Sequence, residues 1–244
     1  MRIVFSRKGF DTQNGRGPSP IIDGLPVSLP IPDTKGLSRT TYGDLGLGAL
    51  AHAASRGRFG DESLCHHDPM FLPDGRCILG QCHSAQGHLA NQGVGAGDVL
   101  LFFGLFCAAG GAPHHRIFGY CIVDEVIPLR CADEAMLDQF RAVDHPHSLG
   151  MHGTNDTLYV GEGRQAGTAS DELRLTVPEG PLQLWKRPGW LRRGELSYFG
   201  SSERNWPEGR LWRQGPAQEF VADIGKRPEP REWLEGIIAA INRS

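Results

Sequence analysis

A chain of 244 residues with 25 lysines and arginines against 28 acidic residues has a formal net charge of −3. It has no global electrostatic pull toward nucleic acid, so any such binding has to come from a local patch. No run of 18 apolar residues occurs, and Met1-Arg2-Ile3-Val4-Phe5 meets Ser6-Arg7-Lys8 too soon for a signal-peptide core, so a cytoplasmic protein with no membrane partner is expected.

The chain opens with a short apolar strand over residues 2–5 and then enters a stretch of about thirty residues rich in Gly, Pro and Ser. A loop of that length in a compact domain is usually functional or mobile. Residues 44–55 have the alanine and leucine content of a helix that Gly57 ends, and residues 84–91 predict a second short one. Residues 93–126 hold two apolar runs around a turn-rich gap. The first, 99–106, is too short and too bounded by glycine for a typical helix, and the second, 116–127, carries the β-branched and aromatic residues that fit a pleated surface. They predict a β-hairpin. A helix with an acidic first turn follows at 133–141, weak strands at 157–160 and 173–177, and an amphipathic helix at 230–242, whose Trp233, Ile237, Ile238 and Ile241 pack on the body. The whole reads as one α+β domain over 1–244, with a mixed, strongly bent β-sheet, peripheral helices and long Gly/Pro-rich loops, since 33 glycines and 17 prolines demand many turns while the strand runs exclude disorder. Cys107 and Cys121 lie inside apolar strands, and all six cysteines are expected to be reduced.

Three groups of residues carry candidate chemistry. Arg7 and Lys8 leave a strand end for a glycine-containing loop, a position from which cations meet phosphate, although no Walker loop is present. Asp11, Asp23 and Asp33 along the same loop are candidate acids, bases or metal ligands, or turn formers. Seven of the ten histidines fall in clusters at predicted loop or strand ends: His66-His67, His114-His115, His145-Pro146-His147 and His152. Asp68 and Asp144 are local partners for such rings. Asp11, His66, His67, Asp68 and His115 are therefore the candidate catalytic residues. The spacing of Cys65, Cys77, Cys82 and His83 fits no standard zinc module and H-E-x-x-H is absent, so metal and cofactor stay open.

The hairpin and a later segment supply candidate binding residues. His114, His115 and Arg116 begin the second hairpin strand beside an aromatic wall that includes Phe103 and Tyr120. Residues 184–213 hold Trp185, Trp190, Trp206 and Trp212, four of the five tryptophans, among seven lysines and arginines and three glutamates. Planar rings offer stacking faces for bases while arginines neutralise phosphate, so Trp190, Arg192, Arg193 and Trp206 join Arg7, Lys8, Arg116, Phe103 and Tyr120 as a nucleic-acid surface. The competing reading packs the tryptophans into a core under arginine stems.

The G-x-G-D turn, aromatic strand and I-F-G-Y strand resemble the centre of the small barrels of the PUA, ASCH and EVE type, which implies a PUA-like β-barrel and binding of RNA or modified bases. Over most of the chain, the S-R-K-G-x-D opening, the P-S-P-I-x-D-G loop at 18–24, the C-H-x-D-P element at 65–69 and the two hairpin strands resemble a bacterial and phage family, the nucleotide modification associated domain of type 3. That resemblance implies a nucleic acid or nucleotide as partner, in base modification or phage conflict, with other modification-system proteins as further candidate partners. An enzyme acting on a nucleotide or DNA base is one reading. A non-catalytic reader of modified bases is another, and a structural partner in a modification complex a third. A reader needs no acid, base or metal, so they differ in whether the histidine clusters and aspartates converge.

Overall fold

The hairpin is the centre of the sheet. In a computed structural model describing residues 1–150, 152–213 and 218–243, the strands are β1 (Arg2–Arg7), β2 (Ser19–Ile22), β3 (Leu25–Pro26), β4 (Ile31–Pro32), β5 (Cys65–His66), β6 (Met70–Phe71) and β7 (Arg76–Gln81). After them come β8 (Val99–Ala108), β9 (His114–Pro128), β10 (Thr157–Gln165), β11 (Leu184–Lys186), β12 (Arg210–Trp212) and β13 (Glu219–Asp223). The helices are α1 (Gly48–Ala54), α2 (His83–Asn91), α3 (Glu134–Arg141), α4 (Pro146–Leu149) and α5 (Pro228–Asn242). The main sheet runs β13-β1-β8-β9-β10-β7-β6 and curls into an open half-barrel. The fold is mixed α+β with a bent sheet, and of the two forms expected it is the open one.

Two parallel pairings decide where the site lies. β1 and β2 both pair with β8 on the edge away from β9, β1 over Val99 to Phe103 and β2 over Phe106 to Ala108. They lie end to end, and residues 8–18 loop out between them. Lys8 N–H closes onto the Phe103 carbonyl at 2.8 Å, and the facing strand position is Gly104, where a Cβ would stand 2.8 Å from the Lys8 carbonyl.

Alternation along the strands covers both faces of the sheet. Ile3, Phe5, Val99, Leu101 and Phe103 face a core closed by α5 and by the tryptophan-rich segment, while Val4, Leu100, Phe102 and Phe106 face a second core with Leu89 of α2. The C-terminal helix expected at 230–242 forms from Pro228 to Asn242, and the one expected at 133–141 forms with Asp133 as its N-cap, accepting the Met136 N–H at 2.8 Å. Two expectations need correction. Helix α1 spans only Gly48–Ala54, because Asp44 turns back to bind Thr41 and Gly46 takes a left-handed φ of 66°. No strand forms at 173–177: after a 3-10 turn at Asp171–Leu173 the chain makes isolated bridges to Arg116 and Trp185.

Candidate functional site

Asp68 is the hub of a buried cluster. It follows β5 and enters β6, whose pairing with β7 brings its carboxylate against Gly80. The Gly80 N–H donates to Asp68 Oδ1 at 2.9 Å, and a Cβ on Gly80 would run into the His147 ring, so the absence of a side chain there lets ring and carboxylate meet. His66 Nε2 and His147 Nε2 lie 3.8 and 4.0 Å from Asp68 Oδ2, and His145 Nε2 lies 3.5 Å from Oδ1. His147 Nδ1 is 3.1 Å from Asp156 Oδ1, while Asp156 Oδ2 accepts the N–H groups of His152 and Gly153 at 2.6 and 3.2 Å. His152 stacks close by, its ring centre 4.5 Å from that of His147 and 5.1 Å from that of His66. The Asp68 side chain is 4% exposed and that of Asp156 is fully buried.

Burial sets the protonation of the rings. It pushes His66 down to about 3 against the opposing pull of Asp68, and it lowers His147 as well. Burial alone would raise Asp68, but the surrounding imidazoles, His145 foremost, hold it below the usual carboxylate range. Burial thus favours the neutral form of His66 and His147 beside an anionic Asp68 carboxylate at neutral pH.

The cluster forms the floor of a cleft of about 280 Å³ whose rim comes from the loop between β1 and β2 and from the turn after β4. Arg7, Lys8 and Lys35 line it together with Asp11, Asp33, Cys82 and His83. Arg7 lies 3.5 Å from Asp11, and Asp11 also accepts the N–H groups of Gln13 and Asn14. Lys8 Nζ contacts Glu219 Oε1 at 3.2 Å on β13, where Ser6 and Gln81 also donate. Glu219 is buried, which raises its pKa, and its Oε2 has no hydrogen-bond partner among the described residues. A second cavity of about 280 Å³, lined by His67, Phe71, Phe118 and Gln165, shares Gly9 and Asp68 with the first.

Sequence candidates divide accordingly. Arg7, Lys8, Asp11, His66 and Asp68 line one cleft, and His67 faces the neighbouring cavity. The cluster leaves the Asp68 side chain only 4% exposed and that of His66 16% exposed, although both line the cleft. His115 and Arg116 do not join the cleft: His115 packs beside Phe103 and Trp185, and Arg116 donates to the Ser170 carbonyl at 2.6 Å. Phe103, Tyr120, Trp190 and Trp206 are interior, at 0%, 1%, 8% and 6% exposure, so they offer no stacking face. The segment 184–213 is core for the sheet: Trp185 stacks edge-on to Phe103 and Trp190 packs on Trp233 of α5. Arg192 and Arg193 are exposed there, Arg193 pairing with Glu203.

The residues not singled out as site members are His147, Asp156, Gln81 and Glu219. The histidine cluster at 145–152 was the available signal for His147, but nothing in a strand such as 219–223 marks Glu219 as the acid beside Lys8. Residues 2–223 match the family model for nucleotide modification associated domain 3. No curated protein and no solved structure matches the chain.

Proposed function

Because the chain belongs to the nucleotide modification associated domain 3 family, we propose that it is an enzyme acting on a nucleotide or a nucleic-acid base in the cleft over Asp68. The observation that carries this reading is the convergence of His66, Asp68 and His147, from two distant parts of the sequence, beneath the rim that carries Arg7, Lys8 and Lys35. Cations at the mouth suit a phosphate, with Arg7 offering a planar fork of donors and Lys35 an exposed point charge. The floor suits proton transfer. Neutral His66 is a proton acceptor at the cleft wall, Asp68 stabilises the imidazolium that results, and Asp156 fixes the His147 ring so that its Nε2 faces the same carboxylate. A reader of modified bases has no use for a buried carboxylate ringed by imidazoles, and the aromatic wall that would favour a reader is interior.

The test is incubation of the purified protein with nucleoside mono-, di- and triphosphates and with single- and double-stranded oligonucleotides, followed by mass spectrometry of the bases. Conversion of one substrate, reduced about 100-fold or more by Asp68→Ala and weakened in KM by Arg7→Gln, is expected. Tight binding of a nucleotide without conversion, unchanged by Asp68→Ala, favours the reader instead.

A further inference from the structure

We propose that His66, Asp68 and His147 are the protein ligands of a single divalent first-row transition-metal ion, held with a coordination position open to the cleft. One ligand atom from each of the three lies within 4.8 Å of the others. The separations of 3.8 and 4.0 Å between Asp68 Oδ2 and the two Nε2 atoms are too long for hydrogen bonds. They are close to what an ion imposes: bonds of about 2.1 Å at a tetrahedral angle put neighbouring donors about 3.4 Å apart, so small side-chain rotations close the site.

The carboxylate is already divided for this task. Oδ1 is anchored by the Gly80 N–H, and Oδ2 is the oxygen that faces both rings. The ion-pair partners of Asp68 among the described residues are three histidines, with no lysine or arginine. A buried carboxylate without a fixed cation is costly, and a metal ion supplies the charge. His145 is fully buried with its Nε2 3.5 Å from Asp68 Oδ1, on the side of the oxygen that Gly80 anchors, which leaves Oδ2 to His66 and His147.

A rival trio exists. Cys82, His147 and Asp156 also bring ligand atoms within 4.8 Å of one another. The hydrogen bond between His147 Nδ1 and Asp156 decides between them. A metal bridging His147 and Asp156 has to replace that contact, whereas a metal on Nε2 keeps it, and Asp156 then orients the ring in the way carboxylates commonly orient metal-bound imidazoles. Asp156 is itself fixed by two backbone N–H groups. Two imidazoles and one carboxylate form a nitrogen-rich donor set that suits zinc or iron(II) and their neighbours, and disfavours magnesium and calcium, which prefer all-oxygen surroundings. His66 lines the cleft, so the remaining position faces incoming solvent or substrate.

The inference concerns binding of the ion alone, so its test is separate from that of the substrate; an ion on His66 Nε2 takes the place of the proton assigned to that ring above, while the assignment of a nucleotide or base to the cleft is unchanged. Apo protein is titrated with zinc(II) by calorimetry and with cobalt(II) by visible absorption. One equivalent should bind, with nitrogen and oxygen ligation and no sulfur-to-cobalt charge-transfer band. His66→Ala, Asp68→Asn and His147→Ala should each abolish the site, Asp156→Asn should weaken it roughly 10–100-fold, and Cys82→Ser should leave both affinity and spectrum unchanged. Circular dichroism of each variant checks the fold. A thiolate band that disappears in Cys82→Ser assigns the metal to the rival trio and overturns the proposal, as does wild-type protein, folded and apo, that binds neither ion at millimolar concentration.

Discussion

Replacing Lys8 with methionine removes the cation that faces Glu219, a carboxylate 1% exposed, and leaves that charge with only the Ser6 hydroxyl and the Gln81 amide as donors. Breaking a buried ion pair from one side costs about 3–5 kcal/mol, and the two surviving hydrogen bonds place this case near the lower end, about 3 kcal/mol at pH 7.5. The loss is pH-dependent with a definite sign. Burial already raises the Glu219 pKa above its ordinary value, and loss of Lys8 raises it further. A carboxyl whose folded pKa lies above the unfolded one favours the folded state at low pH and loses that advantage as pH rises through the folded value. The difference between wild type and Lys8→Met should therefore be largest at pH 7.5 and shrink toward pH 5, where Glu219 takes up the missing proton. Urea unfolding at the two pH values measures it directly. A deficit of less than about 1 kcal/mol, or one equal at both pH values, refutes the buried pair as the reason Lys8 sits where it does.

The tryptophans of 184–213 give a paired test: Trp206 Nε1 donates to the Gly200 carbonyl at 2.6 Å while Trp190 Nε1 is buried without a partner among the described residues. Trp206→Phe should therefore be more destabilising than Trp190→Phe by about 1 kcal/mol in thermal or urea melts, and equal losses contradict these placements. His115 gives a second pH effect: burial, reinforced by Arg213 and Arg7, pushes it down to about 3, so between pH 6.5 and about 3 the unfolded chain binds a proton that the folded chain refuses. Stability should fall on acidification by up to about 1.4 kcal/mol per pH unit in that window, and the difference between wild type and His115→Gln should move in the variant's favour as pH drops, which pH-dependent urea melts measure.

The elements with a local signal were legible in the sequence. The hairpin could be read from two apolar runs around a turn, α3 from its acidic first turn, and α5 from its apolar stripe, because each depends on neighbours in the chain. The site was half legible. Arg7, Asp11, His66 and Asp68 stood out by residue type, but their meeting with His147 depends on the β6-β7-β10 pairings, which tie positions about eighty residues apart. Tryptophan and arginine at 184–213 have the same composition whether they stack on bases or close a core. Only the placement of α5 against the sheet, with Trp233 on both Phe5 and Trp190, shows that they close one. Glu219 carried no signal, since an acid in a short strand ordinarily faces solvent.

The central claim is that ligand chemistry belongs to the cleft above Asp68 and not to the basic tryptophan-rich segment. Amide chemical-shift mapping of the isotope-labelled protein during titration with a nucleoside monophosphate, and separately with a short single-stranded oligonucleotide, locates binding whatever the reaction. The expected shifts are confined to residues 7–14, 31–37, 66–68 and 80–83 and to His147 and His152, around the cleft, and vanish in Arg7→Gln. Shifts centred on Arg192 and Arg193, with the cleft amides unmoved, contradict it.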